Sequence, residues 1–150
     1  MRLALSSIAI AMIAATPALA GEARVEARGG VDWTDGQTAK ATAGAAVGYD
    51  VDVGGSAFIG AEQSADKVLE GGTNVRFGSS GRIGIKASPN DKIYATGGYN
   101  YGKGPNGADV GAGWEHSFGG LYGKVEYKRF FNEDAAPNSN AAMVGLGVKF

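Results

Sequence analysis

AMVGLGVKF, residues 142–150, is the stretch of sequence that decides the fold. Large apolar side chains occupy every second position from Val144 to Phe150, and glycine or lysine occupies each position between them. A period of two places the two sets on opposite faces of a β-strand, whereas a helix would need apolar residues three or four positions apart. The segment therefore predicts a strand with one apolar face and one polar or small face.

Seven further segments carry the same period. In the first of them, charged residues between Arg24 and Asp32 alternate with apolar residues that end at Trp33. The second is rich in alanine and is compatible with a helix by composition, but Gly44 and Gly48 disfavour a helix and the alternation favours a strand. The six strands between the first and the last are predicted at 38–49, 56–63, 75–87, 92–101, 109–118 and 121–131.

The connections between these strands predict how they are joined. Those after the second, fourth and sixth strands are tight and contain the glycine, proline and asparagine that tight turns favour. Three of the four other connections are longer and polar. An even number of strands with short turns at one end and longer loops at the other is the layout of bacterial transmembrane barrels. The predicted connections are 34–37, 50–55, 64–74, 88–91, 102–108, 119–120 and 132–140.

The first twenty residues have the features of a secretory signal peptide. Arg2 provides a positive start, a short apolar run follows, and Ala18-Leu19-Ala20 forms an A-x-A cleavage site. The alternative is a membrane-spanning helix, but the apolar run is shorter than the roughly 18 residues that a span requires. We expect cleavage after Ala20, so that residues 1–20 are the signal peptide and residues 21–150 form one outer-membrane β-barrel domain.

The composition excludes several function classes. Removal of Arg2 leaves 13 of the 14 basic residues against 15 acidic ones, so the mature chain has no basic field for a nucleic acid. The chain has no cysteine, which excludes thiol catalysis and thiolate metal sites. A single histidine without companions at ligand spacing predicts no metal site, and no cofactor is expected.

A closed sheet with one apolar and one charged face has two solutions. If the apolar face points inward, the protein is a soluble periplasmic ligand carrier of lipocalin type; if it points outward, the surroundings are lipid. The charged face holds eight basic and six acidic groups, a balance that allows them to pair inside a narrow lumen. The predicted lumen network comprises Arg24, Glu26, Arg28, Asp32, Lys40, Glu62, Arg82, Lys86, Glu115, Lys124, Glu126 and Lys128, with Asp109 and Lys149 on the same face.

The aromatic residues of the apolar face favour the membrane solution. They fall near the two ends of the predicted strands, with smaller aliphatic residues between them, as amphipathic rings do at the two interfaces of a membrane. Trp114, in the middle of a predicted strand, is an exception. The predicted aromatic girdle consists of Trp33, Tyr99, Tyr101, Tyr127 and Phe131 at the outer level, with Phe77, and of Tyr49 and Phe118 at the periplasmic level, with Phe150.

With its signal peptide, its eight alternating segments and its terminal aromatic strand, the chain resembles the OmpA transmembrane-domain, OmpX and opacity-protein families over residues 22–150. The resemblance implies that Val144, Leu146, Val148 and Phe150 form the signal that the barrel-assembly machinery recognises. The chain ends without a peptidoglycan-binding domain, so the wall-anchoring role of OmpA-like proteins is not implied. Its loops are short for an adhesin of opacity type.

One motif invites an enzyme interpretation, because some small outer-membrane barrels are lipid A deacylases or acyltransferases that use His and Ser. His116 and Ser117 are adjacent, however, and neighbours on a strand point to opposite faces, so they are unsuited to share a proton. The Gly-rich loop 102–107 lacks a following helix and is interpreted as a turn.

The sequence predicts an all-β, eight-stranded antiparallel up-and-down transmembrane β-barrel. We expect a non-enzymatic outer-membrane protein that contacts outer-membrane lipid and contributes to envelope structure, with at most a narrow porin-like path. A small porin for solutes and the soluble carrier remain as alternatives. Glycines on the charged face are expected to leave room for water along the axis: Gly30, Gly44, Gly60, Gly84, Gly98, Gly111, Gly113 and Gly145.

Overall fold

The computed structural model describes residues 21–150, and the predicted signal peptide lies outside them. These residues form eight antiparallel strands, each of 11 to 14 residues. No helix among the described residues is long and apolar enough to cross a membrane. The strands are β1 (Gly21–Thr34), β2 (Lys40–Val53), β3 (Ala57–Val68), β4 (Val75–Lys86), β5 (Asp91–Gly102), β6 (Gly107–Phe118), β7 (Leu121–Asn132) and β8 (Ser139–Lys149).

Each strand pairs with its neighbours in sequence, and β1 pairs with β8 to close the barrel. The closing register runs from Arg24 opposite Lys149 to Thr34 opposite Ser139. Beyond β8, the backbone nitrogen of Phe150 donates to the carbonyl of Ala23 at 2.9 Å, so the terminal residue completes the seam. The predicted eight-stranded up-and-down barrel is confirmed, and closure leaves no strand edge unpaired.

Two strands extend further than the alternation predicted. β2 ends at Val53 and β3 at Val68, whereas the predicted ends were four and five residues earlier. The predicted boundaries stopped where polar residues follow, because these resemble a turn. In a barrel with a polar interior the same residues continue the strand, and Asp50 and Asp66 point into the lumen with the other even-numbered residues of β2 and β3.

The extension of β3 shortens the outer loop that follows it, and the extension of β2 shortens the periplasmic turn that follows it, so the difference in length between the two ends is smaller than predicted. The four outer connections span residues 35–39, 69–74, 103–106 and 133–138, and none exceeds six residues. The opposite turns span residues 54–56, 87–90 and 119–120, and none exceeds four residues. Gly54 and Gly119 have φ angles of 75° and 73° in these turns, a conformation that glycine adopts without steric cost.

The interior of the barrel is polar and the exterior is apolar. Fourteen charged residues, six basic and eight acidic, are buried inside, while the buried apolar cluster contains only Phe130, Ala141 and Met143. The outward face carries the large exposed aliphatic residues, such as Leu146 at 71% exposure and Ile83 at 63%. The soluble carrier requires an apolar interior, so this arrangement excludes it.

Candidate functional site

The lumen is the candidate functional site, because the alternation of all eight strands directs their polar side chains into it. Of the twelve residues predicted to form its charge network, ten are buried there: Arg24, Glu26, Arg28, Asp32, Glu62, Arg82, Glu115, Lys124, Glu126 and Lys128.

The other two members of the predicted network lie at the rims. Lys40 pairs with Glu70 at 2.5 Å at the outer end, and Lys86 pairs with Asp52 at 2.5 Å at the periplasmic end. Both pairs are partly exposed to solvent. Their assignment to the buried network was wrong, because alternation defines the face on which a side chain lies but not its depth along the barrel axis.

Glu62 is the centre of the network. Its carboxylate accepts a hydrogen bond from Arg24 at 2.6 Å and another from Arg28 at 3.0 Å, and it lies 3.4 Å from the ammonium of Lys124. Arg28 also forms a two-pronged contact with Asp66 across the lumen. Three cations thus converge on one buried carboxylate, and two strands, β1 and β7, are joined through it to β3.

A second group of contacts extends this centre around the wall. Lys124 pairs with Glu26 at 2.7 Å and with Glu126 at 3.5 Å. The hydroxyl of Tyr122 donates to Glu26 at 2.6 Å, and the hydroxyl of Tyr94 donates to Glu126 at 2.8 Å. Neutral phenols here satisfy carboxylate oxygens without adding charge, which helps a buried ionic network to balance its desolvation cost.

Toward the periplasm, Arg82 spans the lumen. It forms a two-pronged contact with Asp50 and donates to Glu115 at 3.0 Å. Its guanidinium lies 4.5 Å from the ring centre of Tyr94, within the range of a cation–π contact. Below it, Lys149 pairs with Glu115 at 2.6 Å. The side chains of Arg82, Tyr94 and Glu115 therefore occupy the centre of the barrel.

Toward the outer mouth the network continues with both ionic and neutral partners. Arg76 pairs with Asp32 at 2.7 Å, and its guanidinium lies 4.1 Å from the ring centre of Phe130. Asp109 accepts a hydrogen bond from Asn100 at 2.6 Å and lies 3.5 Å from the ammonium of Lys128. At this end neutral amides and rings share the lumen with the ions.

Sequence analysis missed three charged residues buried in the lumen, Asp50, Asp66 and Lys92, and also the partly exposed Arg76 at its outer mouth. Lys92 pairs with Glu22 at 2.7 Å and lies 3.1 Å from Asp50. The alternation could have identified the three buried residues, because they fall on even positions of strands whose odd positions face outward. Four aromatic residues that point inward were also missed: Phe58, Tyr94, Tyr122 and Phe130.

Side chains from neighbouring strands lie against several of the lumen glycines. A Cβ atom added to Gly48 would lie 2.5 Å from Cζ of Arg24, and one added to Gly113 would lie 2.5 Å from Cζ of Tyr94. A large side chain from a neighbouring strand already occupies the space beside these glycines. They allow a narrow barrel to hold long side chains, and room for water along the axis stays a prediction.

Free space is found instead at the two mouths. A cavity of about 320 Å³ at the outer end is bordered by Asp32, Asp66 and Arg76. A cavity of about 350 Å³ at the periplasmic end is bordered by Lys86 and Lys92. The ion network of the central lumen lies between the two.

All the residues of the predicted girdle lie on the outward face. At the outer level the rings of Trp33 and Tyr127 have centres 6.2 Å apart, and those of Phe77 and Tyr101 stack at 6.0 Å. Tyr99 and Phe131 are exposed at the same level, and Tyr49 and Phe118 lie toward the periplasmic end, as does Phe150.

Trp114 lies nearer the periplasmic interface than the sequence suggested. It is followed on the outer face of β6 by His116, whose ring centre is 5.9 Å away, and then by Phe118, 4.7 Å from His116. Its indole nitrogen donates to Asp91 at the periplasmic rim at 3.1 Å. Trp114 therefore belongs to an interfacial row of rings.

His116 and Ser117 lie on opposite sides of the wall. The Nδ1 atom of His116 is 2.8 Å from the carboxylate of Asp91 outside, while the hydroxyl of Ser117 accepts a hydrogen bond from Lys149 at 2.9 Å inside. The two side chains therefore do not share a proton. Residues 21–150 contain no group of three or more His, Cys, Asp or Glu side chains placed to hold a metal.

At the outer rim, Arg129 joins the first loop to the wall. Its guanidinium donates to both carboxylate oxygens of Asp35 at 2.8 and 2.6 Å, and it donates to Asn140 at 2.9 Å. The hydrogen bonds from Arg129 hold the pKa of the Asp35 carboxyl below its ordinary value. Loop 35–39 is therefore anchored over β7 and β8.

The four residues of the predicted assembly signal form one outward row. Val144, Leu146 and Phe150 are exposed by 60% or more, and Val148 by 38%. They lie on β8 and just beyond it, at the seam where the barrel closes on β1.

Several solved structures similar to this chain are bacterial outer-membrane barrels. The N-terminal barrel domain of Pseudomonas aeruginosa OprF is 13% identical with a TM-score of 0.64, covering 86% of this chain and 97% of that one. The attachment invasion locus protein Ail of Yersinia pestis is 11% identical with a TM-score of 0.66, covering 87% and 97%. Neisserial surface protein A is 12% identical with a TM-score of 0.57, covering 87% and 97%. No protein-family model and no curated protein sequence matches the chain.

Proposed function

We propose that the protein is a non-enzymatic integral protein of the bacterial outer membrane whose closed barrel contributes to the structure of the envelope. The observation that carries this proposal is its inverted polarity: fourteen buried charges line the inside, and exposed aliphatic residues cover the outside. Such an exterior is stable only against lipid, because a soluble protein rarely exposes so large an apolar surface. The shared fold of the solved outer-membrane barrels supports the same location.

In this proposal the buried charges of the lumen have a structural role. The titratable groups of the central lumen are paired with one another, and the adjacent His116 and Ser117 are separated by the barrel wall. A catalytic site needs a nucleophile or a base within reach of a substrate. The described residues instead use their ionic side chains to connect the strands across the lumen.

During assembly of such a barrel, Phe150 acts as part of the signal that the assembly machinery recognises. We expect Phe150→Asp to lower the amount of folded protein at the cell surface several-fold, because the change removes the terminal aromatic group of the outward row on β8. Surface levels can be measured by protease shaving or surface labelling of whole cells, with unboiled gel electrophoresis to quantify the folded fraction.

Phe118→Asp is the matched control, because Phe118 is also an exposed periplasmic aromatic residue but lies on β6. Both variants lose a similar interfacial contact, so both should refold into lipid vesicles without the machinery to a similar extent. Only Phe150→Asp should have a large defect in cells. Equal surface levels for the two variants would argue against a role of Phe150 in recognition.

A narrow path for solutes is the second candidate, favoured by the cavities at the two mouths. Because the central ions are packed between them, we expect the wild type to show no discrete conductance steps in a planar bilayer. Arg82→Ser removes the group that spans the lumen between Asp50 and Glu115, and should produce discrete steps.

Lys86→Ser, at the exposed periplasmic rim, is the control and should remain silent. Folding of each variant is checked by its shift on an unboiled gel. Discrete steps in the wild type would establish the porin candidate in place of a closed barrel. Silence of a folded Arg82→Ser barrel would exclude a path at this position.

A further inference from the structure

A groove runs along the outside of the barrel between β2 and β5. It is a shallow, open groove with a volume of about 300 Å³, and its floor contains small residues, among them Ala45 and Ala65. The stacked rings of Phe77 and Tyr101 form one wall. The outward face also bears larger side chains, such as Val110 and Val125. Beside the two rings, the small residues leave a shallow, open groove.

The groove lies in the outer half of the membrane-facing wall. Phe77 is the third residue of β4, which begins at the outer rim, and Tyr101 is the last but one residue of β5, which ends there. Ala65 lies three residues before the outer end of β3. An occupant of the groove therefore belongs to the outer leaflet.

One cation lies at the outer end of the groove. Lys67 follows Ala65 on the same outward face of β3, and its side chain is exposed. Among residues 21–150 it has no ion-pair partner, unlike Lys40 and Arg129 at the outer rim, whose partners are Glu70 and Asp35; Lys103, on an outer loop away from the groove, is unpaired as well. A positive charge is therefore available at the height of the lipid headgroups.

A polar group lies at the inner end. The side-chain oxygen of Gln63 accepts a hydrogen bond from Ser79 at 2.8 Å, and the hydroxyl of Tyr101 is 3.5 Å away. Gln63 and Lys67 are four residues apart on one strand, a distance of about 13 Å at strand rise. The distance from Gln63 to Lys67 thus matches a good part of an acyl chain, and a polar group lies at each end of it.

We propose that this groove binds one acyl chain of an anionic, phosphate-bearing lipid of the outer leaflet, with the phosphate on Lys67. The apolar floor and the ring wall match the chain, and the unpaired ammonium matches the headgroup. The proposal rests on the outer-membrane location proposed above, because only a lipid bilayer supplies such an occupant at this depth.

A second copy of the protein is the competing occupant. Stable protein interfaces bury on the order of 1,200 Å² or more and need broad, complementary surfaces. The groove is instead small, with a volume of about 300 Å³. The large exposed residues of the membrane-facing wall are aliphatic or aromatic, so in a second copy they would offer no carboxylate to Lys67. A single lipid chain fits these features better than a barrel wall.

Native mass spectrometry of the folded chain in detergent, titrated with lipid A, tests the proposal. We expect the wild type to retain one lipid A molecule, and an uncharged phosphatidylcholine to bind much less. Lys67→Gln should reduce the retained fraction about fivefold, as expected for one lysine at a lipid phosphate. Ala65→Phe fills the groove and should reduce it by at least a similar factor.

Two matched controls accompany these variants. Lys103→Gln removes a charge from an outer loop away from the groove, and Ala112→Phe adds a ring to the lipid face of β6. Both should bind lipid A as the wild type does. The shift on an unboiled gel verifies folding and insertion separately, so a barrel that inserts normally but binds no lipid contradicts this inference and not the proposed function.

Equal retention by the wild type, Lys67→Gln and Ala65→Phe would overturn the proposal. A dimer peak that disappears in Ala65→Phe while lipid adducts are unchanged would also overturn it, in favour of a second copy in the groove.

Discussion

Glu62→Gln is expected to lower the free energy of unfolding by about 3 kcal/mol or more, because it neutralises the carboxylate on which Arg24, Arg28 and Lys124 converge. Removal of one partner from a buried ion pair leaves the other charges desolvated without compensation, and here three cations lose a counter-charge at once. The shape of the side chain is almost unchanged, so the loss measures charge rather than packing.

The measurement is urea unfolding of the refolded protein in phospholipid vesicles, with the midpoint and slope fitted for a two-state transition. Glu70→Gln is the matched control, since it removes the same charge from the exposed pair with Lys40 and should change stability by about 1 kcal/mol or less. Equal effects of the two substitutions would show that the lumen behaves as open water rather than as a packed interior.

Val144→Arg should destabilise the barrel in vesicles by about 2–4 kcal/mol, the cost of an arginine on the lipid face near the bilayer midplane. Val144 is the sixth of the eleven residues of β8, and its side chain is 60% exposed on the outside. On a protein surrounded by water the same change would be nearly neutral. The size of the effect therefore identifies the surroundings of the wall.

The control for this experiment is the same substitution at a residue nearer the membrane surface. Leu121 is also exposed and apolar but begins β7 at the periplasmic rim, so Leu121→Arg should cost only about 0–1 kcal/mol. Val125→Arg, directly opposite Val144 on β7, repeats the test outside the strand proposed as the assembly signal. Refolding without the assembly machinery separates stability from recognition. Equal costs at the rim and in the middle would contradict a lipid-facing wall.

The orientation of the wall was predictable because two signals agreed. Alternation separated the charged residues from the apolar ones, and the aromatic residues fell at two levels of the apolar face. Only lipid outside accounts for both, and the structure has this arrangement. The interior charges Arg28 and Glu126 and the exterior residue Leu146 lie on the sides that the pattern predicted.

The ends of the strands were less predictable, for a reason specific to this kind of barrel. In a soluble sheet a polar residue near a glycine commonly marks a turn, but here polar residues also line the interior. Asp50 and Asp66 therefore resembled turn residues while they occupied the lumen. Their inclusion extends β2 at its periplasmic end and β3 at its outer end, which shortens the connection that follows each strand.

The sequence by itself determined the number of strands, their order and the face on which each side chain lies, because a period of two is a local property of an extended chain. Only the tertiary structure decided which charges meet, such as Arg28 with Asp66 or Lys149 with Glu115, and which positions form the groove below Lys67. These contacts depend on the stagger between strands and on depth along the axis, and both arise when the sheet closes on itself.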